Sequence, residues 1–140
     1  VGEEHWPTYY DQLARCLKPG GRAALQIITI REEDFPVYRS TTDFIQKYVF
    51  PGGILPPASR LDAEADRVGL KRAGSKMFGH SYARTLSAWH EAYRKAWPEI
   101  RDHGFDDRFD RIWRFYLAYC EAGFEAGRID VGQFVYSKPA

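Results

Sequence analysis

Residues 23–30, AALQIITI, follow a Lys18-Pro19-Gly20-Gly21 turn and constrain the fold more than any other stretch of the chain. The run is apolar, turns β-branched toward its end and is bounded by a sharp corner, which makes it a strand rather than a helix. Its lack of alternation predicts cover on both faces, as in a parallel sheet. Gln26 is its one long polar residue.

The neighbouring segments take their character from the same rules. Pro7 suits a first helical position, and Tyr10, Leu13, Cys16 and Leu17 make a short apolar stripe that the Pro-Gly-Gly corner stops. After an acidic loop at residues 32–34, a short helix is expected over 43–48, ended by Pro51-Gly52-Gly53. Pro56-Pro57 opens another over 59–68, closed by Gly69. Residues 71–78 read as a second strand, weakened by Gly74 in its middle.

From Ala83 onward Leu86, Trp89, Tyr93, Trp97 and Ile100 recur at helical spacing, and Asp106 or Asp107 starts a further helix after Gly104. That helix carries Phe109, Ile112, Trp113, Tyr116, Leu117, Cys120 and Phe124 on one face, widened by Phe115 and Tyr119, and is expected to be largely buried or to line a pocket. Gly127 ends it, and residues 131–136 (VGQFVY) read as the last strand. The order specifies an α/β domain whose sheet has three strands with a helical insertion, residues 81–127, before the last. Three strands leave an edge open, so further strands are expected upstream of Val1, and self-association through the exposed half-sheet follows as an expectation.

Composition narrows the function classes. A chain of 140 residues with 44% apolar and 28% charged content has the make-up of a soluble globular domain. A net charge of +1, with Lys and Arg scattered among acids, gives no field for nucleic acid. Cys16 and Cys120 sit in apolar helical patterns as small hydrophobes, and the four histidines have no zinc spacing. No apolar stretch is long enough for a bilayer span and the start is no signal peptide, so a cytoplasmic location is expected.

The segment LARCLKPGGRAALQ resembles the helix, turn and fifth strand of class I S-adenosylmethionine-dependent methyltransferases, which have a Rossmann-like sheet. FIQKYVFPGGILP, FGHSYARTLSAWHEAY, AWPEI and FYLAYCEAGFEAGRIDVGQFVY, in that order, resemble the cyclopropane fatty-acyl phospholipid synthase and mycolic acid cyclopropane synthase family over almost the whole chain. The resemblance implies that residues 1–140 are the C-terminal, substrate-side part of one methyltransferase domain. The family's cofactor-binding half, with its glycine-rich loop, would precede Val1, and the chain alone is expected to be inactive.

In similar proteins a methyl group passes from S-adenosylmethionine to a cis double bond of a lipid acyl chain, and bound bicarbonate takes up the proton as the ring closes. By resemblance, the Tyr82 hydroxyl and the backbone carbonyl of Ile28 are bicarbonate ligands, and Gln26 stands where relatives carry a histidine ligand. An amide donates a hydrogen bond but does not titrate near neutrality. Taken without the resemblance, Tyr82 is an aromatic at a helix start and Gln26 a polar residue bonded to nearby backbone. Trp113, Phe115, Tyr116 and Tyr119 are either core or the lining of an acyl tunnel. The implied partners are unsaturated phospholipid acyl chains, met at the inner membrane surface. A methyltransferase acting on another small molecule, and a lipid-binding remnant without catalysis, are the alternatives.

Overall fold

Pro7 stands in the first turn of α1 (Trp6–Cys16), where a missing N–H interrupts no intrahelical bond. The helix stops where Leu17 turns extended and Gly20 takes φ 75°, a conformation open to glycine. Lys138, far along the chain, closes this end: its Nζ donates to the carbonyls of Ala14 (2.8 Å) and Leu17 (3.0 Å). A cation on the last carbonyls of a helix both satisfies them and suits the dipole. The chain, a computed structural model describing residues 2–140, then enters β1 (Arg22–Ile30).

Three short helices follow: α2 (Phe35–Ser40), α3 (Phe44–Tyr48) and α4 (Ala58–Arg67). The first was not expected. Its start has Pro36 in the first turn and no side-chain cap, so the acidic residues before it read as loop. β2 (Lys71–Met77) leads into the long α5 (Gly79–Asp102), α6 (Asp107–Glu125) and β3 (Ile129–Ser137). Asp106, not Asp107, is the cap of α6, accepting a hydrogen bond from Phe109 N at 2.8 Å.

The sheet order is β1-β3-β2, with β3 antiparallel to both neighbours. The expectation that β1 is covered on both faces fails for its first half, since Arg22, Ala24 and Gln26 are exposed. One face, through Leu25, Ile27, Phe134 and Tyr136, packs on α1 and α4 around Tyr10, Leu61, Ala65 and Leu70. On the other, the α5–α6 pair covers only the end at Ile28 and Val131. An apolar run reports the capacity for burial, not which helices supply it. β2 is an exposed edge strand with a register shift between Arg72 and Gly74, so the glycine marks an irregularity in the ladder and not its end.

The apolar faces of α5 and α6 meet through Ala83, Leu86, Tyr93, Leu117, Cys120 and Phe124. Phe115, 52% exposed, and Tyr119, 42% exposed, are not buried as the breadth of the apolar face predicted, and Trp89 is half exposed too. Phe115 lies about half a turn round from Phe124, and a helix paired with one partner buries only one side. Cys16 is likewise exposed where a buried small hydrophobe was expected, while Cys120 is buried.

Replacing Asp106 with Ala is expected to cost about 1 kcal/mol in urea unfolding, and Asp107→Ala only a few tenths, because only the first removes a cap. Burial pushes the Cys120 thiol up to about 11 and the Tyr136 hydroxyl up to about 12. Groups whose folded pKa is raised stabilise fully below their unfolded values and lose that contribution as pH rises through the folded ones. Unfolding free energy should therefore fall above about pH 9 and continue to fall to about pH 12. At about pH 8, iodoacetamide should label Cys16 at once and Cys120 only on unfolding, read by peptide mass spectrometry.

Candidate active site at the open edge of β1

The hydrogen-bond phase of the sheet decides what β1 offers. Lys138 N donates to Gly21 O at 2.9 Å and Arg31 N to Arg128 O at 3.2 Å, so odd-numbered residues of β1 face β3. In an antiparallel ladder the alternate residues direct N–H and C=O the other way. Gln26, Ile28 and Ile30 therefore present their backbone groups to the open edge, as Ile30 N confirms by donating to Pro56 O at 3.2 Å. The Ile28 carbonyl is thus not used by β3. Gln26 and Ile28, two residues apart, also put their side chains on one face. There Gln26 lies opposite Gln133, which lies opposite Lys76, in a row of exposed polar residues across the sheet. The Gln26 side chain is exposed.

Tyr82 reaches the same face from the first turn of α5. The helix start is fixed to β3 twice: Phe78 N donates to Val131 O at 2.9 Å, and Gly79 N donates to Asp130 Oδ1 at 2.8 Å. The same carboxylate oxygen accepts from Val131 N at 2.7 Å. Residue 79 must be glycine for this approach, since a Cβ there would collide with Asp130 Oδ1. Three residues on, Tyr82 N bonds to Phe78 O (3.1 Å), and its ring stands edge-on to Phe124 at 5.2 Å and Trp89 at 6.0 Å. Tyr82 and Ile28 pack against one cluster. Tyr116, expected as core or tunnel lining, lies beside both Cys120 and Tyr82, and burial first, then Cys120 and Tyr82, push its hydroxyl up to about 12. The spacing of Tyr116 and Cys120, one helical turn apart, was the available signal.

The segment carrying FIQKYVFPGGILP lies over this face. A reciprocal cap joins Asp43 and Gln46 (2.8 and 2.9 Å), and the Gln46 amide also donates to Gly53 O at 3.1 Å, holding the turn after Phe50. Leu55 N donates to the Tyr38 hydroxyl at 3.3 Å, and the Tyr119 hydroxyl reaches Asp43 Oδ2 at 3.5 Å. Phe50 stands edge-on to Tyr116 at 6.1 Å, and Phe44 to Phe115 at 4.5 Å. The segment thus ties the open edge of β1 to α6.

His80 and Glu121 line an open cleft of about 370 Å³ between α5 and α6, with Arg84, Ser87 and Glu125. His80 is exposed in the first turn of α5. Among the described residues no group of three His, Cys, Asp or Glu side chains could hold a metal ion.

The chain thus offers a carbonyl at the sheet edge that β3 leaves unpaired, with the Tyr82 phenol on the helix pair that packs on Ile28, beside hydroxyl and thiol groups that stay protonated at neutral pH. Such a set fits a small hydrogen-bonding anion that still carries a proton: the phenol donates and the carbonyl accepts. Gly20 and Gly52 occupy turns that lack the strand-to-helix context of a nucleoside loop.

The profile of the mycolic acid cyclopropane synthetase family matches residues 1–134. The chain is 38% identical over 135 residues to the tuberculostearic acid methyltransferase UfaA1 of Mycobacterium tuberculosis, covering 96% of this chain and 32% of that protein. It is 35% identical over 138 residues to the cyclopropane-fatty-acyl-phospholipid synthase of Escherichia coli K12, covering 99% and 35%. The cyclopropane synthase MmaA2 from Mycobacterium tuberculosis superposes with a TM-score of 0.86 at 25% identity, over 98% of this chain and 51% of that one. The mycolic acid cyclopropane synthase CmaA1, solved with SAH and CTAB, gives 0.86 and 25% over 99% and 51%. The chain spans about a third of the length of these curated relatives and half that of the solved chains. With its three-stranded α/β sheet matching those structures and its family profile running almost from end to end, the chain belongs to the mycolic acid cyclopropane synthetase family.

Proposed function

We propose that this chain is the substrate-side part of an S-adenosylmethionine-dependent methyltransferase that transfers a methyl group to the double bond of unsaturated phospholipid acyl chains. One observation supports the reading: Ile28, whose carbonyl β3 leaves unpaired, and Tyr82 pack on one hydrophobic cluster, with Phe50 against Tyr116 beside Tyr82. Tyr82 and the Ile28 carbonyl hold the bicarbonate, with Gln26 beside them as a hydrogen-bond donor. That anion would supply the base that this chain's own residues do not. Gln26 positions without taking up a proton, since an amide has no acid–base equilibrium in this range. Phe50 and Tyr116 give the acyl chain an apolar path to Tyr82. S-adenosylmethionine supplies the methyl group and is held by residues outside this chain, and residues 1–140 act as the C-terminal part of one domain with the α5–α6 pair as insertion. The protein works at the cytoplasmic membrane surface; among the described residues no helix is long and apolar enough to cross the membrane.

Two experiments test this. Residues 1–140 replace the matching third of the Escherichia coli synthase, and lipids of a synthase-deficient host are analysed by mass spectrometry. Acyl chains one methylene heavier are expected, with Tyr82→Phe reducing them about a hundredfold, the loss typical of one donor to a reacting anion. Unchanged product in that variant removes Tyr82 from the mechanism. Isothermal titration of the 140-residue chain with S-adenosylmethionine should give no binding at micromolar concentration, and a low-micromolar dissociation constant would refute the division of labour.

A further inference from the structure

The outer side of α6 has a composition unlike the rest of the surface. Arg108, Arg111, Phe115, Ala118, Tyr119 and Ala122 recur at three- and four-residue spacing, all exposed, and the acid beside them is Asp43, 3.5 Å from the Tyr119 hydroxyl and engaged in capping α3. Phe115 and Tyr119 stack at 5.8 Å, and Phe44 of α3 joins Phe115 at 4.5 Å and Tyr48 at 5.3 Å. Tyr48, Phe50, Phe115 and Tyr119 are each between 42% and 55% exposed, and Tyr48, Phe115 and Tyr119 are joined through Phe44 into one run of ring contacts. Lys47 sits over the Tyr48 ring at 5.3 Å. Among the described residues Lys47, Arg108 and Arg111 make no ion pair, whereas Arg114, on the flank, is paired with Asp110 at 3.6 Å.

We infer that this patch, formed by α3, the Phe50 corner and the outer side of α6, docks the protein on an anionic phospholipid surface. The inference rests on the lipid reading above and says where the protein meets its substrate. Aromatic rings settle at the boundary of headgroups and acyl chains, and unpaired cations beside them select anionic lipid. A second copy is the poorer occupant, because across a two-fold axis the patch would bring Lys47, Arg108 and Arg111 against their own like charges. Phe50 belongs to both regions, as it reaches the bilayer side and packs on Tyr116 next to Tyr82. A docked chain would thus deliver an acyl tail along Phe50 toward the site.

The 140-residue chain is floated with vesicles of phosphatidylcholine alone or with phosphatidylglycerol added. Binding is expected only with the anionic lipid and should weaken with salt. Arg108→Gln and Arg111→Gln should each weaken it about fivefold, the factor that roughly 1 kcal/mol per basic residue represents. Tyr48→Ser with Phe115→Ser should abolish it, whereas Arg94→Gln with Lys95→Gln on α5 should leave it unchanged. Circular dichroism verifies that each variant is folded. Equal binding to both vesicles, no binding, or wild-type binding by the arginine variants overturns the inference. So does a dimer that the Phe115→Ser change dissociates without any vesicle binding. In the chimeric synthase, Arg108→Gln with Arg111→Gln should lose activity on vesicles and keep it on detergent-dispersed phospholipid. A chimera that makes no product while the chain still binds vesicles refutes the methyltransferase reading and leaves the docking surface standing; a chimera that fails to bind vesicles when the chain alone binds overturns the docking.

Discussion

One carboxylate sets the geometry of this face. Asp130 Oδ1 accepts from Gly79 N and from Val131 N, so a single oxygen joins the first residue of a 24-residue helix to the last strand. Everything that α5 presents, Tyr82 first, is placed by that contact and by the backbone bond beside it. The glycine is not there for its dihedral angles; it is there because a side chain would stand in the carboxylate's place. A helix N-terminus needs acceptors for its unpaired N–H groups, and here the strand supplies one where a local cap would otherwise be required. No cap comes from α5's own preceding residue, Phe78.

The open edge of β1 is the second constraint, and the two meet. Because β3 bonds to alternate residues, the carbonyls of Gln26 and Ile28 are left to whatever lies beyond the edge, while their side chains share the face that Tyr82 overlooks. The stretch from Asp43 to Pro56 then covers one end of this edge through Pro56 and ties to α6 through Asp43 and Tyr119. An edge left as bare backbone is a liability unless something uses it.

Much of this was legible in the residues. The Pro-Gly-Gly stops, the strand at residues 23–30 and the Asp106 start declare themselves through local chemistry, and each is where the sequence puts it. α2 was not legible because its cap makes no side-chain bond, and the exposure of Phe115 and Tyr119 was not because periodicity counts apolar residues without knowing how many partners a helix has. The site was legible only through resemblance. Spacing alone could not bring Ile28 and Tyr82, more than fifty residues apart, to one cluster. Nor could it reveal the cation-bearing side of α6, which the linear sequence interleaves with the acids of its flanks.

The bond from Lys138 to the end of α1 spans more than a hundred residues, and β3 lies between two strands that both precede it. During synthesis, therefore, β1 and β2 emerge before the strand that joins them. Long-range pairing of this kind forms slowly and leaves strand edges waiting. Folding of this region consequently waits on its last strand: until β3 has formed, α1, both outer strands and the Tyr82 helix cannot be joined.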